Sequence, residues 1–321
     1  MHTYLRNKPA WMQLMIFGGL TLGLFIISEL FGFSLVAHLN HMSIMQLGAM
    51  KPADFGRPEM GGVVKGLLII QFFGLFLLPS LIFAYLADPH PLYYAGLKAP
   101  QRSSFLLLGT IIMIAAYFTV EFLGLINESI VHYLPKNAQA WIESGESDAS
   151  NMLQGVLAIK TPADLLKTIL LVGALPAIGE ELFFRGILQK LFIQLFKSPW
   201  AGIILTGFLF SAIHMQFMGL LPRMALGIIL GSLYWYSGSL YTSILGHFIY
   251  NTINVLLIYF KITDLDSKPG PVMMFSLIGL VSVAIVVFLI NLLRKRSTTR
   301  YQTEFPTGDE NMFSDDQDHP L

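Results

Sequence analysis

The chain has 321 residues, of which 54% are hydrophobic and only 12% charged, with no net charge and no cysteine. A soluble domain typically carries about 25% charged residues, so the deficit marks a membrane protein, and nothing in the charge balance points to a nucleic-acid partner. The missing cysteines exclude disulfides, thiolate metal sites and a cysteine nucleophile, but leave the compartment open.

In chain order, the N-terminal "MHTYLRNKPAW" sets Arg6 and Lys8 before an apolar run that lasts to about Ala37. A signal peptide has an apolar core of about 7–15 residues, so this run is predicted to be a retained first transmembrane helix. A spanning helix needs about 20 mostly apolar residues. On that measure spans are predicted near 11–37, 61–87, 104–126, 163–188, 199–218, 222–237, 240–260 and 271–293. The sixth is short, and only "YSGS" at 236–239 separates it from the seventh. The loop from about 128 to 162 is long for a membrane bundle and is predicted to hold a short surface helix around "AQAWIE", with Trp141 at the interface. At the fourth span, Thr161 is a helix cap, Pro162 suits the first turn and Asp164 is a favourable capping acid. Further along, Pro176 lacks an N–H and leaves the carbonyl of Val172 without its usual partner. Such a break is tolerated where another group satisfies the carbonyl.

These elements define an all-α fold, a polytopic bundle of about eight transmembrane helices. Residues 1–293 form the membrane-embedded domain, with no internal repeat, and 294–321 a basic-then-acidic tail expected to be disordered and cytoplasmic. The tail has no C-terminal cysteine, so the chain is not expected to be a prenylation substrate itself. With eight spans both termini share one side, and both are basic: Arg6 and Lys8 at one end, Arg294, Lys295, Arg296 and Arg300 at the other. The loops on that side carry Lys98, Arg102, Lys190 and Lys197, while most loop acids, including Glu143, Glu146 and Asp148, fall opposite. The bias is modest and favours cytoplasmic termini.

The stretch "LPAIGEELFFRGIL" (175–188) puts Glu180, Glu181 and Arg185 inside an apolar span. A charge at mid-membrane costs about 2.5–3.5 kcal/mol on insertion scales, so three together need a reason. Glu181 and Arg185 are four apart and can pair on one helix face, while Glu180 lies about 100° away. One glutamate is then structural and its neighbour free for chemistry. Of the eight histidines, only His214 and His247 lie within apolar spans; His2, His38, His41, His90, His132 and His319 fall in loops, tails or at span edges. His247 and Asn251, again four apart, share a face.

These residue types suit amide hydrolysis in a membrane cavity. Glu180 and a neutral His214 can hold and deprotonate a water. His247 and Asn251 can donate hydrogen bonds to a developing oxyanion. A second arrangement uses Glu180, His214 and His247 as zinc ligands with one position left for water, although "HExxH" is absent. Serine chemistry is disfavoured, because Ser211, Ser237 and Ser239 lack a "GxSxG" frame. Glu29 and Glu121, each alone near a helix end, read as structurally paired residues, and Phe183 and Phe184 as lipid-facing or packing residues.

In order along the chain, "EELFFR" (180–185), "FSAIH" (210–214) and "HFIYN" (247–251) have the forms EExxxR, FxxxH and HxxxN. Together they resemble the CAAX-protease and bacteriocin-processing (Abi) family of intramembrane endopeptidases, similar to the type II CAAX prenyl endopeptidases, over roughly 165–260. The resemblance implies an eight-helix bundle with a conical catalytic cavity open to the cytoplasm or the bilayer. It implies that Glu180 and His214 activate water, that His247 and Asn251 form the oxyanion hole, and that Glu181 and Arg185 brace the site. It favours a metal-free mechanism with no cofactor, and a membrane-associated protein or peptide as partner, prenylated in one branch of the family. It does not indicate an oligomeric state. Two other readings stand beside it: a non-catalytic membrane scaffold that retains the motifs, and a proton-coupled transporter, for which only the single break at Pro176 speaks.

Overall fold

The computed structural model describes residues 4–5, 8–157, 159–262 and 272–305. Arg6, His2, His319 and the acidic end of the tail lie outside the described residues. Among those described there is no strand. The long helices are α1 (Ala10–Leu39), α2 (Gly61–Ala87), α3 (Ser104–His132), α4 (Lys136–Val156), α5 (162–196), α6 (Pro199–Ala212), α7 (Leu220–Ser237), α8 (Leu240–Tyr259) and α9 (Val272–Arg296). The helices α1, α2, α3, α7 and α9 are long and apolar enough to cross a membrane. Of the other predicted spans, α5 and α8 carry the polar residues described below, and α6 is short. The chain is an all-α, polytopic membrane protein.

Helix ends follow the local chemistry. Thr161 Oγ1 accepts a hydrogen bond from the Asp164 N–H, and the Asp164 carboxylate accepts one back from the Thr161 N–H, both at 3.1 Å. This reciprocal cap fixes the start of α5. At the other boundary, Gly238 turns the chain between α7 and α8 with φ of +69°, a conformation that glycine adopts without strain.

Two features differ from the sequence reading in extent. The predicted short surface helix is α4, a helix of 21 residues reaching from Lys136 to Val156. The fifth span ends at Ala212, so His214 sits in the turn just beyond α6 rather than inside a helix. A third difference concerns the tail. Residues 297–305 pack back on the bundle instead of trailing away: Ser297 and Thr299 are buried, and Gln101 Nε2 donates to Thr299 Oγ1 at 2.6 Å. Lastly, Glu29 and Glu121 make no ion pair among the described residues, contrary to the pairing expected of them.

The core is aromatic. Phe17 of α1 meets Phe83 of α2 at 5.1 Å and Phe183 of α5 at 4.8 Å between ring centroids, and Phe184 meets Phe210 of α6 at 5.2 Å. Phe183 and Phe184 are therefore packing residues. Small and polar contacts tie other helices together. Gly207 of α6 faces Gly227 of α7 so closely that a Cβ on Gly227 would lie 2.8 Å from the Gly207 Cα. Between α3 and α9, Ser282 Oγ lies 2.7 Å from Thr119 Oγ1 and donates to the Ala115 carbonyl at 2.6 Å. Such contacts suit a bundle in lipid, where packing and internal hydrogen bonds replace the hydrophobic drive.

The hairpin connections sort into two ends. One end holds Leu5 against Leu86, Gln101 against Ser237 and Thr299, and Gly96 against Leu240. Both chain ends that the structure describes lie there. At the opposite end, Asn127 Nδ2 donates to the Phe217 carbonyl at 2.7 Å, and Glu146 on α4 accepts from the Met218 N–H at 3.0 Å.

Candidate active site

Helix α5 is not a uniform α-helix. Wide π-type turns span Ile169–Ala174, just before Pro176, and Leu182–Gln189, just after the glutamate pair. Turns of this kind often accompany functional sites, because they re-aim the side chains that follow. Between them, Glu181 turns into the core and Glu180 lines a cavity of about 450 Å³.

Glu181 and Arg185 meet as their four-residue spacing predicts. Arg185 Nη1 donates to Glu181 Oε1 at 2.6 Å, and both side chains are fully buried. A buried pair offsets its desolvation only when further hydrogen bonds satisfy it. Here Arg185 Nη2 also donates to the Gly227 carbonyl at 3.0 Å, and the guanidinium sits 4.5 Å from the centre of the Phe210 ring.

The same Glu181 oxygen accepts from His247 Nδ1 at 3.0 Å. A carboxylate only accepts, so this nitrogen carries the hydrogen and Nε2 is left facing Glu180, whose Oε2 lies 4.0 Å away. His214 is held in a comparable way. Its Nδ1 lies 2.8 Å from the Phe210 carbonyl, which fixes the hydrogen on Nδ1 and leaves Nε2 for the cavity. Asn251 Nδ2 donates to the Val172 carbonyl at 3.1 Å. In a regular α-helix that carbonyl would take the N–H that Pro176 lacks. One amide hydrogen of Asn251 is thus committed to repairing the helix, and the second remains free.

Glu180, His214, His247 and Asn251 all line the one cavity, although they come from α5, the turn after α6, and α8. Glu180 and His214 are not joined by a direct hydrogen bond. Apolar walls come from Val120, Leu153, Leu157, Val172, Phe210 and Val255. Sequence reasoning missed Arg223, Tyr250 and Asn254, which also line it. Arg223 donates to the carbonyl and to the side-chain oxygen of Gln216. Its signal was a charged residue at the start of an apolar span, and Tyr250 lies inside "HFIYN" itself. Among the described residues, no group of three His, Asp or Glu side chains is placed to hold a metal ion. In each histidine the Nδ1 is bonded, in His214 to the Phe210 carbonyl and in His247 to Glu181, which leaves Nε2 open.

Residues 162–253 match the type II CAAX prenyl endopeptidase Rce1-like family. The match spans all three motifs and bears out the resemblance read from them. An "Uncharacterized 24.3 kDa protein" of Escherichia coli is 30% identical over 112 residues. That alignment covers 34% of this chain and 52% of the relative, so it spans about half the relative's length. No solved structure matches the chain. The Rce1-like segment holds every polar residue of the cavity from Glu180 to Asn251, while Asn254 and the α4 residues lie outside it.

Proposed function

We propose that the chain is an intramembrane endopeptidase that hydrolyses a peptide bond of a membrane-associated protein or peptide, with Glu180 and His214 activating the water and no metal taking part. The observation that carries this reading is the convergence of Glu180, His214, His247 and Asn251 on one cavity, with the Glu181–Arg185 pair sealed behind it.

A water held between Glu180 and His214 Nε2 gives up a proton to one of them as its oxygen attacks the substrate carbonyl. Electrons of the C=O bond move to oxygen, and the oxyanion receives hydrogen bonds from the second Asn251 amide hydrogen and from His247 when its Nε2 is protonated. The proton taken from water then passes to the departing amine as the C–N bond breaks. Glu181 keeps the His247 ring turned toward this position, and Arg185 keeps Glu181 in place. The apolar walls around the site suit a hydrophobic substrate segment, and a prenylated CaaX-type chain is the substrate class that the matched family suggests.

The test compares new peptide termini in membranes that contain wild-type protein or Glu180→Gln at matched expression. Termini dependent on Glu180 support the reading; identical termini in both samples sink it in favour of a scaffold that keeps the motifs. Metal analysis of the purified wild type is the second arm. Stoichiometric zinc that disappears in His214→Ala would overturn the metal-free mechanism.

A further inference from the structure

Hydrolysis at Glu180 and His214 leaves a charged residue of the cavity, Arg223, without a task. It sits in the first turn of α7, is half-buried, and lines the cavity together with Glu180, His214 and Asn251. Its Nη1 donates to the Gln216 carbonyl at 3.3 Å, and its Nη2 to the Gln216 side-chain oxygen. Both acceptors are neutral, and both belong to the turn that carries His214. A guanidinium has five N–H donors, so part of its capacity is left for a further acceptor.

The other arginine of the site shows what is missing. Arg185 is enclosed and lies 2.6 Å from the Glu181 carboxylate. Among the described residues, Arg223 has no carboxylate oxygen within 4 Å. Glu146 on α4 and Glu180 act on it only from further away, and Glu146 already accepts from the Met218 N–H at 3.0 Å. The place of Arg223 at the start of α7 sets its charge against the positive end of the helix dipole. Apolar walls, including Leu153, Leu157, Leu226 and Ile258, make an uncompensated charge more costly still. An anionic group entering the cavity offsets all three costs. The planar fork of an arginine matches a carboxylate in particular, which it can hold through two parallel N–H···O bonds.

We propose that Arg223 determines specificity by pairing with a carboxylate of the substrate, seated among the apolar walls while hydrolysis takes place at Glu180 and His214. The carboxylate is either the terminus of the substrate chain or an acidic side chain near the scissile bond. This rests on the peptidase reading and names the substrate group that the cavity selects.

The binding arm of the test uses the full chain as Glu180→Gln in detergent, so that no peptide is cleaved. The probes are N-acetyl-trileucine as the free acid, the same peptide as its C-terminal amide, and N-acetyl-dileucyl-glutamate amide. At neutral pH a carboxylate-bearing probe should bind about 10–100-fold more tightly than trileucine amide. A gain for the free acid alone assigns the terminal carboxylate, and a gain for the glutamate peptide assigns the side chain. The gain should vanish in Arg223→Gln and shrink in Arg223→Lys, which keeps the charge and loses the fork. Equal binding of all probes, no binding of any, or a gain undiminished in Arg223→Lys overturns the proposal, even if Arg223→Gln fails to fold.

The cleavage arm takes a substrate found through its Glu180-dependent terminus and compares it with a copy whose carboxylates are amides. Amidation should raise KM about 10–100-fold with little change in kcat, and should have no such effect in Arg223→Gln. A fall in kcat that is equal for both substrates in Arg223→Gln would assign Arg223 to the oxyanion and overturn the proposal. Absence of any Glu180-dependent terminus sinks the peptidase reading, while the binding arm still decides whether Arg223 holds a carboxylate.

Discussion

Glu181 and Glu180 are neighbours in the chain with opposite surroundings, and the difference follows from the helix. Glu181 shares a face with Arg185 and is enclosed, whereas the next position around the helix opens to the cavity. Two predictions belong at this scale. Glu180→Gln keeps the volume and removes the base, so cleavage should fall by about 10²–10⁴-fold with the thermal midpoint in detergent unchanged. Arg185→Met strands a buried carboxylate and should destabilise by about 3–5 kcal/mol. Adding Glu181→Gln should recover most of that loss, because no uncompensated charge then remains. A double variant no more stable than Arg185→Met would show that the arginine acts through packing alone. The pairing was legible in the sequence because a spacing of four residues is set by helix geometry. The bond from Glu181 to His247 was not, since it joins residues 66 positions apart.

At the scale of the element, the break at Pro176 is part of the site. Asn251 spends one hydrogen on the carbonyl that would take the N–H proline lacks, so its structural and catalytic roles can be separated. Asn251→Ala should cost about 1 kcal/mol of stability in the parent protein, and less in a Pro176→Ala background, where the restored N–H can reach Val172. Its effect on cleavage should persist in both. Equal stability losses in the two backgrounds would remove the repair role. The α6–α7 crossing gives a second test. Gly227→Val puts a side chain against the Gly207 backbone and should lower both the thermal midpoint and cleavage, whereas Gly124→Ala, with nothing within 4 Å of the added Cβ, should be neutral. A Gly227→Val protein with parental stability would show that the helices part without loss. Helix α4 was only partly legible, since "ESGESDASN" is polar enough to read as loop. Its order comes from apolar residues such as Ile142 and Val156 that are buried only once the bundle exists.

For the whole molecule, the all-α membrane class was readable from composition, because lipid demands long apolar helices; eight spans were expected, and among the described residues five helices are long and apolar enough to cross a membrane. The cavity was not readable. It depends on how α5, α7 and α8 align in space and on the end of α4 bordering it through Leu153 and Leu157. Residues 297–305 make the same point. Their sequence is polar, yet Gln101 binds both the Thr298 N–H and the Thr299 hydroxyl, and the segment packs where the bundle offers those partners.

The sequence by itself therefore determined the class of the protein, the helices, the Glu181–Arg185 pair and the short list of residues able to do chemistry, all of which follow from local spacing and hydropathy. Tertiary structure alone decided that four of those residues share one cavity, that Asn251 bonds the Val172 carbonyl beside the Pro176 break, and that the end of α4 borders the cavity. Those facts depend on contacts between residues far apart in the chain, and no local pattern encodes them.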